Sequence, residues 1–317
     1  MLVEPIFFES IFMERVWGGR SFADRYGRDL PPDAVIGESW ECVDRSEAQS
    51  QVRGGEFDGL SLHELWSKHR ARIFGEAYVG HSSERFPILI KLLDAREKLS
   101  VQVHPPVEKA AALGGEPKTE MWYFLDCDPG ASIYAGLRAG TTRAAFENSL
   151  KNEGVEGLIH SIPVSEGRSI FIESGRLHAI GGGNLIVEIQ QNSDTTYRVY
   201  DWNRMGLDGK PRDLHIAASM ESIDFEDFEP ELSSPGEMVL ADCPFFRVEK
   251  CSLREVSSVK LRERFAILAS LKSELNVVGQ RLAAASFVLL PAGDEEVGVT
   301  SPDPDAEFLL ITLPTEN

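Results

Sequence analysis

Residues 86–125 read FPILIKLLDAREKLSVQVHPPVEKAAALGGEPKTEMWYFL. This one stretch holds three short apolar or alternating runs, Ile88–Leu93, Leu99–Val103 and Met121–Leu125, each of strand length. Similar runs recur at Ser169–Ile172, Leu185–Ile189, Phe245–Lys250, Ala266–Leu271, Phe287–Leu290 and Phe308–Leu313, with Gly, Pro and Asp turns between them. That density predicts a mainly β chain, a sandwich or barrel, and argues against a parallel α/β sheet. Helices are expected at Ser61–Phe74, opened by a Ser61/Glu64 capping box, and at Val107–Leu113 and Thr142–Ile159.

The chain has 317 residues, which at ~150 residues per domain suggests about two compact units. Hydrophobic residues make up 42% and charged residues 26%, enough apolar surface for a core without disulfide staples. With 51 Asp+Glu against 32 Lys+Arg, the net charge of −19 leaves no clustered cations for nucleic acid. No apolar run approaches the ~18 residues that span a bilayer, so no membrane partner is expected. The opening MLVEPIFFESIFMERVWGG carries Glu4, Glu9 and Glu14 and no basic n-region, so a cytoplasmic protein is expected. Cys42, Cys127, Cys243 and Cys251 are scattered without a CxxC pair and read as reduced structural thiols.

Glu221–Asp242 contains eight acidic residues, no Lys or Arg, and both Pro230 and Pro235. It reads as a linker ahead of a strand starting at Phe245, placing a boundary near 235 and dividing the chain into 1–235 and 236–317. There is also an internal echo. RSIFIESGRLHAI (168–180) resembles ASFVLLPAGDEEVGV (285–299), and aligning Gly175 with Gly293 sets His178 opposite Glu296. Two barrels of one kind, the second without its histidine, would explain it; so would a chance match of strand–turn–strand patterns.

In an extended strand Gln102 and His104 share a face, and Lys118 and Glu120 repeat the same i, i+2 spacing at the mouth of the next strand. His178 follows a third strand and its turn. His104, Glu120 and His178 supply two imidazoles and a carboxylate, a common set for a catalytic zinc with an open position, and Gln102 would add a neutral oxygen. On spacing alone, strand-end histidines are more often hydrogen-bonded core or surface residues. IVEIQQNSDTTYRVYDWNR (186–204) crowds Glu188, Gln190, Asp194, Arg198, Asp201 and Arg204 beside apolar strand, which is costly unless these groups are paired or functional. It also suits a polar turn closing a hairpin. GGGN (181–184) lacks the context of a nucleotide loop.

Several stretches together resemble the type I mannose-6-phosphate isomerases (phosphomannose isomerases) of the short bacterial form. They are VWGG (16–19), IGESWE (36–41), residues 86–106, KTEMWYFL (118–125), SGRLHAIGGGNLIVEIQQNSDTTYRVYDW (174–202) and RDLH (212–215). The resemblance implies a double-barrel cupin (jelly-roll) with helical insertions. It places one zinc per chain in the N-terminal barrel and none in the smaller C-terminal one. By position, Gln102, His104, Glu120 and His178 match the family's metal ligands, and Lys118, Asp194 and Arg198 match residues of its active site. Two departures stand out. Pro117 replaces the usual Gly before K-T-E and restricts Glu116, and Glu173 or Ser174 stands where a Pro is usual.

The implied reaction interconverts mannose 6-phosphate and fructose 6-phosphate, a small-molecule sugar phosphate being the expected partner of a monomer or weak homo-oligomer. Moving a proton between C1 and C2 needs a base and an electrophile for the enediolate oxygen. Asp194, or a zinc-linked group with His104, is expected to handle protons while Lys118 and Arg198 stabilise anionic oxygens. For the phosphate, Lys91 is expected to line the pocket beside Glu38 or Glu41, with Ser100 adding a hydroxyl; a strand-edge lysine facing solvent is the alternative. A non-catalytic sugar-phosphate-binding cupin is the runner-up, and an iron-dependent cupin dioxygenase the third reading. Glu221–Asp242 and Asp294–Asn317 hold eight and seven acidic residues without a Lys or Arg, so most of the negative charge lies outside the expected pocket.

Overall fold

The computed structural model describes residues 4–152 and 154–315. Its first half comprises β1 (Ile11–Gly19), β2 (Ile36–Cys42), β3 (Ile88–Ala95), β4 (Val101–Val103), β5 (Glu120–Cys127) and β6 (Ser132–Leu137). These are followed by β7 (Ile159–Pro163), β8 (Ser169–Ile172), β9 (His178–Ile180), β10 (Asn184–Gln191) and β11 (Tyr197–Tyr200). They form two antiparallel sheets, ordered β1-β2-β3-β10-β5-β8 and β11-β4-β9-β6-β7. The rest carries β12 (Val239–Asp242), β13 (Arg247–Ser252), β14 (Ser258–Lys260), β15 (Ala266–Ser270) and β16 (Leu275–Val277). Then come β17 (Gln280–Leu282), β18 (Phe287–Leu290), β19 (Glu296–Thr300) and β20 (Glu307–Thr312), in sheets ordered β12-β13-β20-β15-β18 and β14-β19-β16-β17. The fold is the mainly β double jelly-roll expected of a cupin.

The two halves repeat one topology. β3-β10-β5-β8 corresponds to β13-β20-β15-β18, and β4-β9-β6-β7 to β14-β19-β16-β17, strand for strand. The sequence echo thus falls on β8–β9 and β18–β19, and His178 and Glu296 are the first residues of β9 and β19.

Alternation explains why β3 is buried along its whole length. Ile88, Ile90 and Leu92 point outward, joining Met121, Tyr123, Val187 and Ile189 in a core shared with Phe265, Ile267, Leu309 and Ile311 of the second barrel. Lys91 and Leu93 take the opposite face with Trp122, Phe124 and Ile186, inside the first barrel. One sheet therefore has two buried faces, one closing the seam between barrels and one lining the interior.

The helical expectations hold in part. Ser61 and Glu64 form the capping box, but the helix divides at His69 into α2 (Leu62–Lys68) and α3 (Arg70–Phe74), the short α1 (Ser21–Tyr26) lying earlier in the chain. Residues 107–113 form α4 (Val107–Ala110) and a 3-10 turn. The helix expected to reach Ile159 stops early as α5 (Arg143–Lys151); Gly154 precedes a 3-10 turn and Ile159 already opens β7. The acidic stretch begins inside α6 (Ile216–Ser222), while β12 starts at Val239 and the expected strand at Phe245 begins at Arg247.

Candidate active site

The first barrel encloses a cavity of about 610 Å³ on the inner face of β3, β5 and β10. At its inner wall, Gln102 of β4 is the register partner of both His178 and Arg198. Val101 and Val103 bury into the core while Gln102 faces the cavity, the alternation expected of a strand. His104 lies just beyond β4, Glu120 opens β5 and His178 opens β9, so three strand ends converge.

His104 Nε2 lies 3.6 Å from Glu120 Oε2, and His178 Nε2 lies 3.5 Å from Glu120 Oε1. Candidate ligand atoms of the three residues all fall within 4.8 Å of one another. Each histidine is oriented by its far nitrogen: Nδ1 of His104 donates to the Thr195 carbonyl (2.8 Å), and Nδ1 of His178 to that of Arg176 (2.9 Å). Both Nε2 lone pairs consequently point at Glu120, the orientation that carbonyl-anchored metal histidines show. The Gln102 amide faces the same point, its Nε2 3.2 Å from His178 Nε2.

Electrostatics keeps these groups ready for a cation. Burial lowers the His178 imidazole to about 3, and the neighbouring His104 further disfavours a proton there. His104 is also lowered, by burial and then by Lys118, so both rings are neutral. Burial alone would raise Glu120, but Lys118 and the two histidines hold it well below the usual carboxylate range. Oε1 of this fully buried carboxylate has no hydrogen-bond partner, and Oε2 is met by the Lys118 ammonium at 2.7 Å. An anion with one unpartnered oxygen beside two inward lone pairs is a donor set that a divalent metal would satisfy, and two histidines with one carboxylate suit zinc.

Lys118 also lies 3.3 Å from Glu188, and despite burial these two carboxylates raise its pKa, keeping it charged. Burial and the charge of Glu120 push Glu188 upward, against the pull of Lys118 and Lys91. Lys91 sits among Glu38 (3.8 Å), Glu188 (4.0 Å) and Asp194 (3.8 Å), with its ammonium over the Trp40 ring at 4.9 Å. Of the two partners expected for it, Glu38 is present, while Glu41 pairs with Arg28. Arg198 Nε donates to Ser100 Oγ (3.3 Å), and Ser100 Oγ lies 3.4 Å from Gln102 Oε1.

The nine residues expected as ligands, catalytic groups or phosphate contacts come together here. Lys91, Ser100, Gln102, Lys118, Asp194 and Arg198 line the cavity, and His104, Glu120 and His178 are buried behind Gln102 and Lys118. Glu188, Glu38, Trp17, Arg212 and His215 also line the cavity. Of these, Glu188 carried a readable signal, an acidic residue alternating with apolar ones in β10, and Glu38 was expected beside Lys91; the others reach the cavity only through tertiary folding. The two departures also settle into place. Glu116, restricted by Pro117, is pinned by Arg45 (2.8 Å), Arg85 (2.5 Å) and Thr195 Oγ1, which accepts its amide, and Ser174 Oγ accepts the Lys118 amide.

The second barrel shows what the site is without its polar set. Counting along the matched strands, Gln102, His104 and Glu120 correspond to Val259, Leu261 and Ala266, all buried in an aliphatic core.

Residues 6–126 match the family model described as phosphomannose isomerase type I, catalytic domain. The chain is 37% identical over 306 residues to mannose-6-phosphate isomerase ManA of Bacillus subtilis, spanning 92% of this chain and 95% of the relative. It is 36% identical over 271 residues to the mannose-6-phosphate isomerase of Streptococcus mutans, with 83% and 82% covered. The crystal structure of the Bacillus subtilis mannose 6-phosphate isomerase superposes with a TM-score of 0.85 at 30% identity, covering 98% of this chain and 99% of that one. Fold, site and sequence agree, and the chain belongs to the type I phosphomannose isomerases.

Proposed function

We propose that this isomerase interconverts mannose 6-phosphate and fructose 6-phosphate with one zinc held by His104, Glu120, His178 and Gln102. The observation that carries the reading is the buried Glu120 carboxylate, whose two oxygens face the Nε2 atoms of two histidines at the inner end of a polar cavity, with Oε1 lacking any hydrogen-bond partner. When bound, zinc would supply a Lewis-acid charge at the O1/O2 edge of the sugar.

The remaining roles belong to the chain. Asp194, half-exposed on the cavity wall, is the carboxylate placed to take the C2 proton and return it at C1. Lys118, charged and held between Glu120 and Glu188, is a fixed donor for the developing enediolate oxygen. His104 is committed as a ligand, with Nδ1 on the Thr195 carbonyl, which leaves proton handling to Asp194. Arg198 and Ser100 lie on the phosphate side. Lys91, wedged among three carboxylates, orients Asp194 and Glu188. The four cysteines are free thiols, which suits the cytoplasm.

A coupled assay for fructose 6-phosphate, run with and without chelator alongside elemental analysis, tests the proposal. Turnover should vanish with chelator and return with zinc. Glu120→Gln should lower zinc content well below one per chain. Absence of turnover from a fully metal-loaded protein would instead mark a sugar-phosphate-binding cupin.

A further inference from the structure

The segment Arg212–His215 crosses the cavity mouth and is suspended from Arg198. The His215 amide donates to the Arg198 carbonyl (2.8 Å), the Arg198 amide donates to His215 Nδ1 (3.2 Å), and Arg198 Nη1 donates to the Asp213 carbonyl (2.9 Å). One residue therefore anchors both main chain and ring.

Two consequences follow from that arrangement. A His215 Nδ1 that accepts from an amide fixes the neutral tautomer with the proton on Nε2, and Nε2 has no protein partner among the described residues although the ring lines the cavity. Arg198 meanwhile spends Nε and Nη1 on Ser100 and Asp213, leaving Nη2 uncommitted and no carboxylate paired with its guanidinium among the described residues. Other cations of the lining are already matched: Arg15 with Glu38, Lys91 with three carboxylates, Lys118 with Glu120 and Glu188, and Arg212 with Asp201. Arg198 is thus the uncompensated positive charge, and His215 sets a neutral N–H donor beside it.

Ser100, whose hydroxyl accepts from Arg198 Nε, lies on the same cavity wall and offers a further polar group there.

We propose that His215 is a phosphate-binding residue, its Nε2–H donating to the sugar phosphate alongside the free Nη2 of Arg198. The inference rests on the sugar-phosphate reading above and adds a residue to it. Hydrogen bonds to a doubly charged oxyanion are among the stronger ones a protein makes.

His215→Asn tests it, because the shorter amide can still accept from the Arg198 amide and keep the segment tethered, yet it ends short of the cavity. The KM for mannose 6-phosphate should rise about tenfold with kcat within about threefold, and the Kd for inorganic phosphate, measured by calorimetry, should rise by the same factor. His215→Ala should match it. An Asn variant whose phosphate Kd stays at the wild-type value would overturn the proposal, whatever its turnover, and would assign the ring to tethering alone. Phosphate binding needs no turnover, so a wild-type protein that binds phosphate but converts no substrate would overturn the isomerase reading and leave this one standing.

Discussion

Lys91 and Glu188 are register partners across β3 and β10, both on the inner face of the barrel, with Nζ and Oε1 4.0 Å apart. A lysine and a glutamate in otherwise apolar strands are tolerable only because they share one compartment. Glu38 and Asp194 complete a cluster in which one ammonium serves three carboxylates.

Lys91→Met keeps the length of the side chain and removes its charge. The buried Glu38 and Glu188 then lose their shared ammonium, and breaking such a cluster costs on the order of 3 kcal/mol. Urea unfolding should show that loss, and the coupled assay should show turnover reduced at least tenfold. A variant as stable as the wild type would mean that Arg15 and Lys118 neutralise the carboxylates without it.

Glu38 makes acid stability predictable. Burial would raise its carboxyl, but Lys91, Arg15 and the Trp40 indole N–H bring it down to about 2. The unfolded chain titrates near the ordinary 4.5, so the native state is favoured fully above that value and loses this advantage as pH falls toward 2. The contribution is on the order of 3 kcal/mol at most. Unfolding free energies of wild type and Glu38→Gln, measured from pH 6 to pH 3, should converge as pH drops. Parallel curves would show that Glu38 is not the group being protonated.

Gly75 governs the seam between the barrels. Its φ of +106° belongs to glycine, and a Cβ there would stand 2.3 Å from the Glu263 carbonyl oxygen. On either side, the Phe265 amide donates to the Phe74 carbonyl and the Ala292 amide to that of Ile73. Gly75→Ala should therefore cost about 3 kcal/mol or more by forcing these backbones apart. Thermal unfolding reads the loss, while metal content of the folded fraction should stay at the wild-type level because the ligands lie in other strands.

Much of this was legible in the chain itself, for identifiable reasons. Ser169–Ile172 and Phe287–Leu290 have the strand limits expected of them, since short apolar runs bounded by turn residues leave little choice. The pairs Gln102/His104 and Lys118/Glu120 were readable because period-two geometry is local. Other features lacked a local signal. In ILIKLL, both faces are apolar apart from Lys91, so nothing in the run tells which side meets a second barrel. The end of α5 was missed because Gly154 and Gly157 interrupt a pattern that otherwise reads as helix. Trp17 and His215 come from segments remote from the ligands in sequence, and only the closed barrel brings them to the cavity.

The shared seam also bears on what each half could do alone. The second barrel has Val259, Leu261 and Ala266 where the first has Gln102, His104 and Glu120. Yet Ile88, Ile90, Tyr123 and Val187 would be wetted together if residues 236–317 were removed. A shortened chain would keep every reactive side chain and still be an aggregation-prone fragment. Residues 236–317 thus act on the first barrel as an apolar lid, and changes that thin it would expose the sheet beneath.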